Sequence, residues 1–250
     1  MRYFVNLMAM LLITLTSTIS YAENSPKILL VLTSHSQLGD TGQRTGFWLS
    51  ELTHPYYKFK KTGYSIDVAS IQGGMAPIDP KSFDEPDDAN QRFLQDAELM
   101  AKVIRTLPLS EIDPAAYQAV VFAGGSGTMW DFPNNEHVNR VAVTIYENNG
   151  IVSAICHGPA ALVDVKLSNG QYLVSGRKVS AFTNEEEEEL KLTHVVPFLL
   201  QDKLIERGAK YVYGKPWKEN VVVDGRLITG QNPASATKVA EKIIEHLKAQ

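Results

Sequence analysis

The strongest constraint on this chain is a repeated pattern in which short apolar runs alternate with stretches of helical spacing. Residues 27–33 (KILLVLT), 119–123 (AVVFA) and 151–155 (IVSAI) are almost continuously apolar, with β-branched side chains among them. Residues 64–70 (YSIDVAS) follow a Lys-Lys-Thr-Gly turn and read as a strand of the same kind. A run with no polar alternation needs cover on both faces, as a buried parallel strand has. Between the runs, Val138, Val141, Ala142, Ile145 and Tyr146 share one helical face, with Asn134 or Asn135 as cap and Asn149-Gly150 as stop. Residues 90–105 and 234–248 show similar amphipathic spacing, and 43–60 and 185–206 are further helical candidates. Strands alternating with helices of this length predict an α/β fold, a mostly parallel sheet with helices on both faces. Shorter strands are expected at 177–182, 209–213, 220–223 and 226–229, the last two joined as a hairpin at Asp224-Gly225. With no internal repeat and no linker, residues 23–250 read as a single domain. The segment 73–91, rich in Gly, Pro and Asp, reads as an irregular insertion or a loop near the site.

The first 22 residues have a different character. Arg2 precedes an uncharged, apolar and hydroxylic run, and Ser20-Tyr21-Ala22 supplies a small-x-small cleavage site before Glu23. Residues 1–22 are therefore expected to be a cleaved signal peptide, which places the mature protein in a periplasm or outside the cell. The apolar part is short for a bilayer span, and no later segment is long and apolar enough to cross a membrane. A net charge of −4 offers nothing to a nucleic acid.

Cys156 is the only cysteine in the sequence, so no internal disulfide can form. A lone thiol in an oxidising compartment is a liability unless it is used. It sits where the run 151–155 stops. Ala154-Ile155-Cys156-His157-Gly158 has the small-x-nucleophile-x-Gly form of a strand-to-helix elbow, and Pro159 suits a first helical turn. At a helix N-terminus the thiol pKa is expected to fall. Ligands gather at the carboxyl ends of parallel strands, which is where this residue lies.

The segments GFWLSELTHPY (46–56), FAGGSGTMWDFP (122–133), SAICHGPAAL (153–162), SAFTNEEEE (180–188) and TGQNPASA (229–236) occur in order. Together they resemble the ThiJ/PfpI family of the class I glutamine amidotransferase-like superfamily. The similarity covers nearly all of residues 23–250 and is greatest to the branch of heat-shock-type chaperones that act as glutathione-independent glyoxalases (glyoxalase III, or D-lactate dehydratase). The resemblance implies a flavodoxin-like, doubly wound three-layer sandwich. It implies Cys156 as nucleophile, His157 as its base and Glu187 as the acid that orients the imidazole, with Glu186 the alternative within a run of identical residues. The rest of residues 185–189 reads as a solvated, acidic first turn. It further implies that Glu51 contacts the thiol in protonated form, its pKa raised by burial and like charge.

Gly124 and Gly125 would offer N–H groups to a substrate oxygen, together with the amide of His157. Some relatives place a metal-binding histidine where Ser126 stands, so no metal is expected, and no organic cofactor is required. His54-Pro55 reads as a helix end or a pocket wall, and His35, His137, His194 and His246 as surface or packing residues. The implied reaction is conversion of methylglyoxal, a small carbonyl compound, to lactate through a hemithioacetal on Cys156. The competing classes are a cysteine hydrolase (peptidase, amidase or deglycase) and a non-enzymatic stress chaperone or redox sensor. A glutamine amidotransferase proper is disfavoured, because no synthase domain is attached and the histidine follows the cysteine directly. Relatives are commonly dimers, which implies a homodimer.

Overall fold

The computed structural model describes residues 25–84 and 86–250, so the expected leader at 1–22 lies outside the described residues. In chain order the elements are β1 (Lys27–Leu32), α1 (Leu49–Lys61), β2 (Ser65–Ser70), α2 (Asp88–Phe93), α3 (Ala97–Ile104), β3 (Leu107–Pro108), β4 (Ala119–Phe122), α4 (Thr128–Asp131), α5 (Glu136–Glu147), β5 (Ile151–Ile155), β6 (Lys178–Val179), α6 (Asn184–Glu189), α7 (Leu200–Glu206), β7 (Lys210–Tyr211), β8 (Val221–Asp224), β9 (Leu227–Gly230) and α8 (Ala236–Lys248). Seven strands form one sheet in the order β3-β2-β1-β4-β5-β9-β8, parallel except for the β8–β9 hairpin. This is the doubly wound, flavodoxin-like α/β arrangement.

The apolar runs are continuous because both sides of each strand are covered. Ile28, Leu30 and Leu32 of β1 face a core that includes Leu52, Tyr56 and Phe59 of α1 and Val239 and Ile243 of α8. Leu29 and Val31 face the opposite core, with Val138, Val141 and Ile145 of α5. β4 divides in the same way, Val121 to the first core and Val120 and Phe122 to the second. β1 is the strand at which the winding reverses, with β2 on one side and β4 on the other. The carboxyl ends of β1, β4 and β5 therefore border the crevice where doubly wound sheets bind ligands. No helix among the described residues is long and apolar enough to cross a membrane.

Several helical candidates are shortened for local reasons. The helix expected over 43–60 begins only at Leu49, because Phe47 bridges to Ile78 and donates its N–H to Pro77 O at 2.9 Å. Gly46 lies so close that a Cβ there would meet Pro77 O at 2.0 Å. α1 then runs through His54-Pro55, the expected helix end, to Lys61. Pro55 has no N–H to give the Glu51 carbonyl one turn back. The candidate at 90–105 breaks at Leu94–Asp96, where the Asp96 side chain caps α3 by accepting from Leu99 N–H at 3.0 Å. The candidate at 185–206 splits into α6 and α7 around a turn-rich connection that contains Pro197. Segments 177–182 and 209–213 leave the main sheet and pair with each other as β6–β7.

Leu30 is 1% exposed in the centre of β1, packed on the α1/α8 side. Leu30→Ala is expected to lower the unfolding free energy by about 2–5 kcal/mol with the denaturant slope unchanged. Urea titration of the two proteins measures both quantities.

Candidate active site

Cys156 follows the last residue of β5 with a φ of 59°, a left-handed backbone that a side chain rarely adopts. Its own backbone groups hold it there. Its N–H donates to Gly230 O at 2.9 Å, and its carbonyl accepts from Phe182 N–H at 2.9 Å. Gly158 follows because the chain grazes β4: a Cβ there would meet Phe122 O at 2.1 Å. The elbow therefore forms as its residues require. The helix expected after it is a five-residue, fully buried 3-10 turn, Gly158–Leu162.

The elbow sets His157 Nδ1 3.4 Å from Cys156 Sγ, and His157 Nε2 2.8 Å from Glu187 Oε2. A carboxylate acceptor at Nε2 draws the ring proton there and leaves the Nδ1 lone pair facing the thiol. All three side chains are buried, and Phe182 lies over the imidazole with centroids 4.2 Å apart. Glu187, not Glu186, is thus the acid beside His157.

The expectation that the rest of the acidic run is solvated is corrected by Glu186, which is 0% exposed. Its Oε2 accepts from the Thr183 N–H at 3.0 Å and hydroxyl at 2.8 Å. Its Oε1 accepts from Trp217 N–H at 2.9 Å and the Asn232 amide at 2.8 Å. The Thr183 capping box turns this acid and Glu187 inward, leaving Glu185, Glu188 and Glu189 outward.

Glu51, on the first turn of α1, is also 0% exposed. Its Oε2 accepts from Gly124 N–H at 2.7 Å, and its carboxyl is a hydrogen-bond neighbour of the Cys156 thiol. Burial pushes its pKa up to about 8, against the weaker opposing pull of Gly124 and Cys156. Gly124, expected to offer its N–H to a substrate, is instead engaged by Glu51. It must be glycine for space, since a Cβ would meet Ile155 O at 2.5 Å and His157 N at 2.7 Å. Gly125, at φ 102°, directs its N–H to the sulfur and lines the cavity.

The expected fall in the thiol pKa is also corrected. Burial pushes Cys156 well above the ordinary value, and Glu51 and Glu186 push it the same way, with Gly125 N–H offsetting only part. The 3-10 turn is too short to supply the dipole that the expectation relied on.

The thiol and imidazole open on a cavity of about 80 Å³, with Trp48, Phe182, Leu192 and Trp217 among its walls. That is small beside the ~300–1,000 Å³ of sites that take drug-sized ligands. Asp79 and Lys81 reach its lip from the 73–91 segment, beside Arg44, so that segment shapes the mouth. Trp217 and Asp79 escaped the sequence reading, since no local pattern marks a residue brought in by a distant loop, and Glu186 was named only as the alternative to Glu187 beside His157. His54 is not part of this wall. It bonds Asp87 at 2.7 Å and Thr237 at 2.9 Å, tying α1 to α2 and α8 beside a wider open groove. Among the described residues no group of three or more His, Cys, Asp and Glu side chains is arranged to hold a metal.

A family match spans residues 44–246. The chain belongs to the DJ-1/PfpI family. It is 33% identical over 228 residues to glyoxalase 3 of Candida albicans, covering 87% of this chain and 97% of that protein. It is 32% identical over 234 residues to a glutathione-independent glyoxalase of Saccharomyces cerevisiae, covering 89% and 98%. Among solved structures it is similar to Rapid Encystment Protein 24 KDa of Francisella tularensis, with 45% identity, a TM-score of 0.86 and coverage of 89% and 99%. It also matches glyoxalase III of Candida albicans, with 32% identity, a TM-score of 0.83 and coverage of 88% and 96%.

The raised Glu51 pKa has a consequence for stability. Between about pH 4.5 and 8 the folded chain keeps a proton on Glu51 that the unfolded chain has lost. Stability contributed by this group is therefore present at low pH and lost as pH rises, by up to about 1.4 kcal/mol per pH unit. Glu51→Gln is expected to remove that slope. Chemical unfolding at intervals from pH 5 to 8 compares the two proteins.

Proposed function

We propose that this chain is a glutathione-independent glyoxalase that converts methylglyoxal to lactate, a cofactor-independent lyase with a Cys156–His157–Glu187 triad. The observation that carries the reading is the thiol–imidazole–carboxylate line ending in a small, partly enclosed, mostly apolar cavity, with a second buried acid of raised pKa, Glu51, at the sulfur. The names of the relatives point the same way.

The thiol is not ionised in advance, so its proton must leave as it attacks. His157 Nδ1 faces the sulfur and takes that proton, with Glu187 holding the ring and stabilising its charged form. The sulfur bonds to the aldehyde carbon, and the carbonyl oxygen takes a proton to give a hemithioacetal. Gly125 and His157 line the cavity, and their backbone N–H groups, that of Gly125 turning from the sulfur as it bonds to carbon, are the proposed donors for the developing oxyanion. A base then removes the hydrogen on the former aldehyde carbon, and the electron pair moves to the neighbouring ketone as an enediol. A proton returned to the second carbon leaves a thioester of the 2-hydroxy acid. His157 and the protonated Glu51 are the two groups at hand for these transfers. Water cleaves the thioester, releasing the acid and restoring the thiol. The sum is dicarbonyl plus water to 2-hydroxy acid, with no external oxidant or reductant.

We further propose that residues 1–22 are removed on export to a periplasm or beyond. Expression with residues 1–22 intact is expected to yield an exported protein whose N-terminus, read by mass spectrometry, is Glu23. An unprocessed chain retained in the cytoplasm rejects it.

Cys156→Ala is expected to abolish lactate formation from methylglyoxal in a stereospecific lactate assay. Glu187→Gln is expected to lower kcat by about 10²–10⁴-fold, since the ring loses its orienting charge. A wild-type protein that makes no lactate yet cleaves fluorogenic peptides or amides would establish a hydrolase in place of a glyoxalase.

A further inference from the structure

Trp217 stands in a left-handed conformation, φ 59°, on the loop between β7 and β8. A bulky aromatic residue there is a genuine outlier and carries local backbone strain. It persists only where its surroundings over-determine it. Three contacts do so. The backbone N–H of Trp217 donates to Glu186 Oε1 at 2.9 Å. Its indole N–H donates to Glu189 Oε2. The next carbonyl, of Lys218, accepts from Asn232 at 3.0 Å, and the same Asn232 amide bonds Glu186. Glu186 thus spends a fully buried carboxylate, four donors around it, on fixing this loop and the start of α6.

The ring so held forms one wall of the cavity over Cys156. Its edge meets Phe182 at 5.5 Å and 65°, and Phe182 in turn covers His157. The wall is an edge-to-face aromatic pair, Phe182 buried over His157 and Trp217 39% exposed at the outer end, beside a cavity of about 80 Å³.

We propose that Trp217, clamped by Glu186 and Glu189, is the residue that sets substrate size, admitting 2-oxoaldehydes with a small alkyl substituent and excluding those with an aryl group. The proposal deepens the glyoxalase reading and rests on it for the substrate class. The clamp on its own makes a claim about access to the sulfur that does not depend on turnover. Trp217 is a specificity residue, and Glu186 and Glu189 position it.

Two ratios test it. The first is kcat/KM for phenylglyoxal over methylglyoxal. The second is the rate of Cys156 alkylation by N-phenylmaleimide over iodoacetamide, followed by intact mass, with one cysteine making the reading unambiguous. Trp217→Ala is expected to raise both ratios by about tenfold or more, the scale on which pockets discriminate by size. Trp217→Phe keeps most of the wall and is expected to stay near wild type. Glu189→Ala frees the indole and is expected to raise both ratios part of the way, and Glu189→Gln, which retains an acceptor, to restore them. Both ratios unchanged in folded Trp217→Ala would overturn the proposal. If that variant does not fold, unchanged ratios in Glu189→Ala would overturn it instead. If the wild type turns over neither dicarbonyl, the glyoxalase reading fails, and the alkylation ratio alone still decides whether Trp217 gates the thiol.

Discussion

The arrangement of the site depends on one strained residue. Cys156 leaves β5 in a left-handed turn, held between Gly230 and Phe182, and this aims its sulfur out of the sheet while keeping it buried. A regular continuation of the strand would send alternate side chains into the two cores. The turn also sets the next residue beside the first, so that the thiol and imidazole of adjacent residues in sequence meet. The glycines around it follow from the same constraint. Gly124 and Gly158 lie where backbone segments pass within van der Waals contact, and any side chain there would push the elbow apart.

Around this sulfur the protein buries three carboxyl groups, and each is treated differently. Glu51 has one backbone donor and a thiol, and burial keeps its proton on. Glu187 has the imidazole. Glu186 has four donors and serves the architecture of the wall. Their different hydrogen-bond partners give the three carboxyls different surroundings. Burial first, and the neighbouring acids Glu51 and Glu186 after it, hold the thiol pKa well above its ordinary value, with the His157 imidazole beside the sulfur.

The cavity draws its parts from distant stretches of chain. Cys156 and His157 come from the elbow after β5, Trp48 precedes α1, Asp79 and Lys81 come from the 73–91 segment, and Trp217 arrives on a loop in the C-terminal third. Phe182 links the floor to the last of these, through His157 on one side and the indole on the other. A small enclosed volume built this way is defined by how loops meet, and the sheet supplies only the platform.

The sequence alone was enough for a mostly parallel α/β sheet with both faces covered, because uninterrupted apolar runs such as 27–33 and 151–155 require it and state so locally, while the doubly wound order was what the family resemblance implied. It was enough for the elbow too, since Ala154, Cys156 and Gly158 carry the steric requirement in their own types and spacing. Tertiary structure decided what no local pattern encodes. In the run 185–189 all five side chains are chemically identical, and only the pitch of α6 against Thr183 and Trp217 separates the acid that meets His157 from the one that anchors the loop. Whether the Gly124 N–H faces a substrate or Glu51 depends on where α1 lies, and that was settled by the Phe47–Ile78 bridge that delays its start. The direction of the thiol pKa was likewise decided in three dimensions, because desolvation and neighbouring charge act through space while sequence records only neighbours along the chain.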